Sequence, residues 1–288
     1  MKHVIKTMTL IVAFIFTATI GIAQGDIISA KDFGKALKDK NTVVVSAQSS
    51  KNYGVSHIKG AVHLDHKKLY KDGKPEGLMK SADEMAKVFA EAGISNTNTI
   101  IIYDDAKDKY AGRVYWILKY LGVQDVKILE KDMKAWRSAR VPLTKAPAKA
   151  KAATFTATVN NDVIVDMAWI KSHLGDASVA IVDVREVAEF NGTSTSHKSP
   201  GHIKGAINLN WEMLVTAQGV LKDKATIESL FKSAGVTADK TIVFYCATSV
   251  RAGLPYFVAK SILGYPNVKV YDGAMNEWET DTTNPIEK

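Results

Sequence analysis

The chain contains a single cysteine, Cys246, and the residues around it are suited to nucleophilic chemistry. Cys246 directly follows an apolar run, residues 241–245, that is typical of a buried strand, and an amphipathic helical pattern begins after Arg251. A turn from strand to helix in a parallel sheet lies at the carboxyl edge, where such sheets bind ligands. Converging main-chain N–H groups, the positive end of the helix dipole and the Arg251 guanidinium would all stabilise a thiolate there. The segment therefore predicts a nucleophilic thiol that is able to take up a sulfane sulfur.

The five residues that follow the cysteine are the candidate binding residues for an anionic substrate. They are Ala247, Thr248, Ser249, Val250 and Arg251. We expect their main-chain N–H groups to curve into a cradle for the anion. The hydroxyl groups of Thr248 and Ser249 either donate to the substrate or cap the following helix, and the sequence favours neither role.

Composition disfavours several other classes of function. Seven histidines are dispersed and the one cysteine has no partner at ligand spacing, so we expect no metal site. No glycine-rich phosphate loop follows a strand, which disfavours a nucleotide cofactor. The formal net charge is +8, but the lysines are scattered, as in a solvated surface rather than a nucleic-acid interface. A positive field of this kind would help to gather small dianions.

Two halves of the sequence repeat each other at a spacing of 142 to 145 residues, once an insertion at 192–199 is allowed for. The matched pairs are 41–48 with 178–185, 56–64 with 201–209, 99–105 with 241–247, 120–129 with 262–271, and 132–136 with 274–278. In each half, β-branched runs alternate with helical patterns, which predicts a parallel sheet covered by helices on both faces. The fold class is therefore α/β, with two tandem domains.

Four segments follow from this organisation. Residues 1–23 read as a signal peptide, because two lysines precede an apolar run of about 15 residues that is short of the roughly 20 needed to span a bilayer. Residues 24–143 form the first domain, and residues 158–288 form the second. Residues 144–157, rich in Ala, Lys and Pro, read as a linker. We expect an exported protein without stable membrane insertion, periplasmic in a Gram-negative organism and otherwise secreted.

Four motifs in the same order resemble those of the tandem-domain rhodanese sulfurtransferases, over nearly all of the chain after the signal peptide. They are VDVR at 182–185, GHIKGAINL at 201–209, the Cys246 loop, and YDGAMNEW at 271–278. The resemblance implies a catalytic second domain and an inactive first domain, because Asp104 stands where the repeat would place the nucleophile. It also implies that Arg185 faces the active-site pocket and holds the anionic substrate. A second interpretation is that Arg185 pairs with Asp183 or Glu189 to tie down the loop, and the two roles are compatible.

The loop itself sets this chain apart within the family it resembles. The spacing Cys-x4-Arg is similar to the sulfurtransferase form, whereas a related phosphatase branch uses Cys-x5-Arg. Thiosulfate-preferring members resemble CRKGVT and mercaptopyruvate-preferring members resemble CGSGVT, but this chain has CATSVR, with Ser249 in place of the usual glycine. The stretch 74–80, KPEGLMK, lacks the histidine that mercaptopyruvate enzymes use, which favours thiosulfate.

Other conspicuous residues have structural interpretations. A motif shared by both copies cannot be specific to catalysis, so the paired histidines and tryptophans are expected to pack. These are His57 with His202, and Trp136 with Trp278. Asp272 and Glu277 are expected to shape the last turn rather than to move protons.

The resemblance implies transfer of a sulfane sulfur from thiosulfate to cyanide or a thiol through a Cys246 persulfide, with neither cofactor nor metal. One alternative is a 3-mercaptopyruvate sulfurtransferase. Another is an envelope module that binds or carries persulfide sulfur and turns over poorly alone. Expected partners are a small anionic sulfur donor and a thiol or cyanide acceptor, with no nucleic acid.

Overall fold

The computed structural model describes residues 25–195 and 199–288. The predicted signal peptide, residues 1–23, lies outside the described residues. Two five-stranded sheets form within the described part, one from residues 27–129 and the other from residues 164–271. No helix in this part is both long enough and apolar enough to cross a membrane.

Strands and helices of the first domain alternate along the chain. They are β1 (Ile27–Ile28), α1 (Ala30–Ala36), β2 (Thr42–Ser46), α2 (Ser50–Val55), β3 (His57–Ile58), β4 (Val62–His63), α3 (Ala82–Glu91), β5 (Thr99–Tyr103), α4 (Lys109–Tyr120), β6 (Val126–Leu129), α5 (Met133–Ser138) and β7 (Leu143–Thr144). A 3-10 turn covers His66–Leu69. Five strands form a parallel sheet in the order β1-β6-β5-β2-β4, and β3 pairs with β7 antiparallel.

The second domain repeats this arrangement. Its elements are β8 (Ile164–Val165), α6 (Met167–Ser172), β9 (Val179–Asp183), α7 (Val187–Phe190), β10 (His202–Ile203), β11 (Ile207–Asn208), α8 (Lys224–Ser233), β12 (Thr241–Tyr245), α9 (Gly253–Phe257), β13 (Val268–Tyr271), α10 (Ala274–Trp278) and β14 (Ile286–Glu287). Its parallel sheet has the order β11-β9-β12-β13-β8, and β10 pairs with β14 antiparallel. Each strand of one sheet thus has a counterpart at the same place in the other.

Alternating side chains of the central strands contact helices on opposite faces of the sheet. In the first domain Ile100 and Ile102 belong to the same buried cluster as Phe89 of α3, whereas Ile101 packs with Phe33 of α1. The strand interiors are apolar on both faces because both faces are covered. The predicted fold, two α/β domains with parallel sheets and helices on both faces, is confirmed.

The two domains meet where α4 packs against α9. Gly112 and Gly253 lie at the crossing, and a Cβ added to Gly112 would be 2.5 Å from the carbonyl carbon of Gly253. A Cβ on Gly253 would be 2.4 Å from the backbone nitrogen of Arg113. The two helix backbones are therefore in direct contact, which only glycine permits at this separation.

We expect Gly112→Ala to lower the free energy of unfolding by about 1–3 kcal/mol, because the new methyl group must push two backbones apart. Gly34→Ala is the matched control, since Gly34 is exposed in α1 with nothing within 4 Å of its added Cβ. That control should gain up to about 1 kcal/mol from helix propensity. Urea unfolding monitored by tryptophan fluorescence measures both, and a Gly112→Ala protein as stable as the parent would contradict the packing described.

Candidate active site

Cys246 lies at the carboxyl end of β12, the central strand of the second sheet, and its side chain is fully buried. The Cys246 carbonyl accepts a hydrogen bond from Met275 N at 3.0 Å, and the Ala247 carbonyl accepts one from Asn276 N at 3.0 Å. The first turn of α10 therefore anchors the start of the loop. As predicted, the thiol lies between a buried strand and a helix at the carboxyl edge of a parallel sheet.

The loop after Cys246 has unused hydrogen-bond donors. Within the described part of the chain, the main-chain N–H groups of residues 247–251 donate to no protein acceptor. Most buried N–H groups in proteins are paired, so a run of unpaired donors beside a thiol suits an anionic ligand. Ser249 has φ = 56°, a left-handed conformation that turns the chain at the position where the resembled family has glycine.

In the first domain, the amides of the matching loop bind a carboxylate of the protein itself. The Asp104 carboxylate follows β5 at the place of Cys246 and accepts four main-chain N–H hydrogen bonds. The donors are Ala106 at 2.7 Å, Asp108 at 2.9 Å, Tyr110 at 2.8 Å and Ala111 at 3.0 Å. In this copy the amides of the loop converge on a negative charge that the chain itself supplies.

The two loops differ in length by one residue. Ala111 is seven positions after Asp104, whereas the matching Ala252 is six positions after Cys246. The π-helical turn Val258–Ile262 follows α9, and a π turn accommodates one additional residue in a helix. The extra residue in the π turn compensates for the shorter loop of the domain that carries the cysteine. The two halves of the sequence therefore align again after this turn.

Arg251 forms a bidentate ion pair with Glu189, with Nη1–Oε2 and Nη2–Oε1 distances of 2.5 and 2.8 Å. Burial opposes the charge on Arg251, but Glu189 and Cys246 outweigh it and raise the pKa of the guanidinium. Burial also opposes the charge on Glu189 and by itself would raise the pKa of the carboxyl group. The hydrogen bonds with Arg251 outweigh burial and leave that pKa below its usual value. Arg251 is thus charged, next to the thiol and neutralised by a buried carboxylate.

Arg185, expected from the resemblance to hold the substrate, is directed elsewhere. The residue is 1% exposed. Its guanidinium donates to Asp183 at 2.6 and 3.0 Å, to Ser199 Oγ at 2.8 Å and to the Gly201 carbonyl at 2.7 Å. Pairing with Asp183, the alternative given by the sequence, is what the geometry shows. The physical reason is that Asp183, the last residue of β9, lies two positions before Arg185 and accepts the hydrogen bonds of its guanidinium.

Arg113 of α4 joins the first domain to the catalytic loop. Its Nη1 donates to Ser249 Oγ and to Asp272 Oδ1, the latter at 2.9 Å, and its Nη2 donates to the Gly77 carbonyl at 2.7 Å. Ser249 Oγ also donates to Asp272 Oδ1 at 3.1 Å, and Met79 N donates to the other carboxylate oxygen at 2.8 Å. The Ser249 side chain is therefore a buried contact between the two domains.

A cavity of about 400 Å³ opens beside the loop, between the two domains. The second domain contributes Glu186, Trp211, Glu212, Ala247, Thr248, Val250 and Arg251, and the first contributes His66, Lys67, Tyr70, Lys109 and Tyr110. Four of the five predicted loop residues thus face one space. Thr248 lines it and caps no helix, since α9 begins at Gly253 without a side-chain cap.

His66 lines this cavity, and its imidazole is buried and neutral. Burial, reinforced by the positive charges of Arg113, Lys67 and Lys109 and opposed by Asp65, lowers the pKa of His66 to about 4. Its Nδ1 lies 3.0 Å from the Tyr70 hydroxyl. The imidazole is therefore uncharged at neutral pH and able to accept a hydrogen bond from that hydroxyl.

We expect His66 to make the fold acid-sensitive. Because its pKa falls from 6.5 to about 4 on folding, the unfolded chain binds the extra proton, and stability is lost as pH falls from 6.5 towards 4. The loss should reach about 3 kcal/mol at the lower end. His66→Gln should flatten this part of the pH profile in chemical unfolding. An unchanged slope between pH 6.5 and 4 in the variant would contradict the assignment.

The residues interpreted as structural pack as expected. The rings of His57 and His202 stack on Tyr53 and Phe190 at 3.7 and 3.5 Å between centroids. His57 Nδ1 lies 2.7 Å from the Tyr53 carbonyl, and His202 Nδ1 lies 2.9 Å from the Phe190 carbonyl. Both copies thus hold the histidine in the same way, away from the thiol.

The paired tryptophans and the last-turn acids also have structural partners. Trp136 and Trp278 donate their indole N–H groups to the carbonyls of Glu130 and Pro285. Glu277 accepts the Tyr271 hydroxyl at 2.8 Å. Asp272 was expected only to shape the last turn. It also joins the two domains, because its main partner, Arg113, belongs to the first domain.

A larger cavity, about 560 Å³, lies between the domains near the C-terminal ends of α4 and α9. Its lysines already have protein partners: Lys119 lies 3.2 Å from Asp26, and Lys260 donates to the Pro266 carbonyl at 2.7 Å. None of the loop residues 247–251 lines it. The smaller cavity beside Cys246 is therefore the candidate active site.

Several site residues escaped the sequence analysis. Lys109 is five positions after Asp104, as Arg251 is five positions after Cys246, so counting from the ends of the two matching strands contained the signal for this residue. Arg113 lies four residues later on the same helix, among apolar neighbours, which marks a buried cation that needs a partner. Glu189 was considered only as a partner of Arg185, because the sequence does not show that Arg251 is closer.

Known proteins with a similar sequence or fold share this organisation. A model for the rhodanese-like domain matches the chain twice, at residues 29–139 and 166–281. A thiosulfate sulfurtransferase of Pseudomonas aeruginosa is 29% identical over 262 residues, covering 91% of this chain and 96% of that protein. The sulfur carrier protein TtuD of Thermus thermophilus is 31% identical over 252 residues, covering 82% and 87%.

A solved structure gives the same result for the fold. The 3-mercaptopyruvate sulfotransferase SseA from Escherichia coli superposes with a TM-score of 0.77 at 26% identity, covering 87% of this chain and 98% of that one. Each rhodanese-like match contains four of the five strands of one parallel sheet, and the second match contains the only cysteine of the chain. The protein therefore belongs to the rhodanese family and is a sulfurtransferase with two tandem domains.

Proposed function

We propose that this protein moves a sulfane sulfur from thiosulfate to cyanide or a thiol through a persulfide on Cys246. The observation that carries the proposal is the pair of loops. In the first domain the loop amides converge on the Asp104 carboxylate, and in the second the matching amides border Cys246 and have no acceptor among the described residues of the protein. By the repeat, these amides would stabilise a negatively charged sulfur at the position that Asp104 occupies in its own copy.

The reaction balances in two steps. The Cys246 thiolate attacks the outer sulfur of thiosulfate, a new S–S bond forms, and the old S–S bond breaks with its electron pair leaving on sulfite. The terminal sulfur of the persulfide keeps one negative charge. Cyanide or a thiolate then attacks that sulfur and leaves as thiocyanate or a new persulfide, which restores the Cys246 thiolate.

Thiosulfate is favoured over 3-mercaptopyruvate by the segment 74–80. This segment lies against the catalytic loop, because a Cβ on Gly77 would be 2.6 Å from Thr248 Cβ and Asn276 Nδ2 donates to the Glu76 carbonyl at 3.3 Å. It contains no histidine. The segment from which mercaptopyruvate enzymes would present a histidine therefore offers no imidazole in this chain.

The test combines intact-protein mass measurement with steady-state kinetics. Incubation with thiosulfate should add about 32 Da, the mass of one sulfur, and cyanide should remove it. Prior alkylation of the chain's one cysteine should prevent the gain, and kcat/KM should be higher for thiosulfate than for 3-mercaptopyruvate. A higher kcat/KM for 3-mercaptopyruvate would overturn the donor, and no mass gain from either donor would overturn the persulfide.

Carrier function is a second candidate, favoured by the likeness to a sulfur carrier protein. It differs from the enzyme in one measurable property, the number of turnovers with small acceptors. Full persulfide formation together with less than one turnover per hour on cyanide and on thiols would support the carrier over the enzyme.

A further inference from the structure

The two arginines of the second domain expected to bind the substrate are already neutralised by carboxylates of that domain. Arg251 is paired with Glu189, and Arg185 is paired with Asp183. Thiosulfate carries two negative charges, and a guanidinium that already holds a carboxylate offers it little net attraction. The charge that recognises a dianionic donor must therefore come from other residues of the cavity.

Two lysines of the first domain meet this requirement. Lys67 and Lys109 line the same cavity as Thr248 and Arg251, and within the described residues neither lies within ion-pair distance of a carboxylate. Lys67 follows the first residue of the 3-10 turn after β4, and Lys109 is the first residue of α4. Both come from the copy that lacks the cysteine.

Aromatic rings, rather than an acid, hold the Lys109 ammonium. Its Nζ lies 5.0 Å from the ring centroid of Tyr110 in the same domain and 5.7 Å from that of Trp211 in the other. Contact with a ring face orients a cation without neutralising it, so the charge remains available to a ligand. Lys109 therefore spans the cleft between the domains with its charge uncompensated.

The acidic groups of the cavity do not cancel these charges. Glu212 is paired with Lys107 at 3.0 Å, and Glu186 is exposed to solvent at the start of α7. His66, between the two lysines and the loop, is neutral at neutral pH. Positive charge thus predominates on the wall that the first domain contributes.

We propose that Lys67 and Lys109 form the subsite for the sulfonate end of the donor, so that the domain without the cysteine recognises the substrate on which the other domain acts. The inference rests on the proposed function. The loop amides hold the sulfur that is transferred, and the lysines hold the oxyanion that leaves with the electron pair. Two domains are needed because each end of the donor is bound by a different copy of the repeat.

The test is substitution of each lysine by glutamine, with Lys68→Gln as the matched control. Lys68 is the exposed neighbour of Lys67 and lines a different cavity, on the linker side of the first domain. For thiosulfate, Lys109→Gln and Lys67→Gln should each raise KM about tenfold, the loss of roughly one charged hydrogen bond, with kcat at saturation within about twofold. Lys109→Arg should restore most of the affinity.

A donor with one negative charge sharpens the comparison. An aryl thiosulfonate carries the same transferable sulfur but a single charge, so its KM should rise only about threefold in the same variants. Unchanged KM values for thiosulfate in both glutamine variants, with the gain of about 32 Da intact, would overturn the lysine subsite and leave the proposed function standing. Absence of that gain in the parent protein would instead overturn the proposed function and this subsite with it.

Discussion

Replacing Cys246 with serine is expected to lower turnover with thiosulfate by roughly 1,000-fold or more and to eliminate the persulfide gain of about 32 Da. The hydroxyl of serine has nearly the same size, so the loop and its amides should keep their geometry. It is not ionised at neutral pH, and oxygen cannot form the sulfur–sulfur bond on which the transfer depends. Loss of activity would then report on the chemistry of one atom.

Two measurements make the Cys246→Ser result interpretable. The free energy of unfolding should remain within about 1 kcal/mol of the parent, since a buried thiol and hydroxyl differ little in volume. Binding of sulfite, followed by tryptophan fluorescence, should persist because the amides and lysines remain. A serine variant that retains more than a tenth of the parent rate would show that the sulfur is carried elsewhere.

The second large effect is expected from Arg113→Met, which should lower the free energy of unfolding by about 3–5 kcal/mol. Arg113 is fully buried and its partner Asp272 is 9% exposed in its side chain. Removing the guanidinium leaves that carboxylate without its counter-ion in a region of low dielectric. It also removes the donor that holds Ser249 Oγ across the domain interface.

A double-mutant cycle separates this ion pair from general damage to packing. Asp272→Asn removes the stranded charge, so Arg113→Met combined with Asp272→Asn should cost at least about 1 kcal/mol less than the sum of the single variants. Lys35→Met on α1 is the matched control, because Lys35 pairs with Asp32 at the surface, with 69% and 51% of the side chains exposed. It should cost less than about 1 kcal/mol. Strict additivity in the cycle would refute the coupling of the two domains through this pair.

The Arg113 contact also explains how the unusual loop is accommodated. Ser249 occupies a left-handed position with φ = 56°, which is unfavourable for a residue with a side chain. Its hydroxyl donates to Asp272 and accepts from Arg113, both of which are contacts that glycine could not make. The departure from the family pattern thus coincides with a connection between the catalytic loop and the first domain.

Sequence alone was sufficient for the fold and for the position of the cysteine between a strand and a helix. The β-branched runs at 99–103 and 241–245 are local patterns, and they became β5 and β12 at the same bounds. The capping box of Ser81 and Glu84 at the start of α3 is a local feature of the same kind. Such features depend on neighbouring residues only, so their physical cause is already contained in a short window of sequence.

The tertiary structure decided which charged groups are free to act. Arg251 and Glu189 are 62 positions apart, and Arg113 and Asp272 are 159 apart, so no local pattern could pair them. A buried ion pair forms where packing brings two charged groups together out of water. Which groups pair therefore depends on how the domains assemble and not on spacing along the chain.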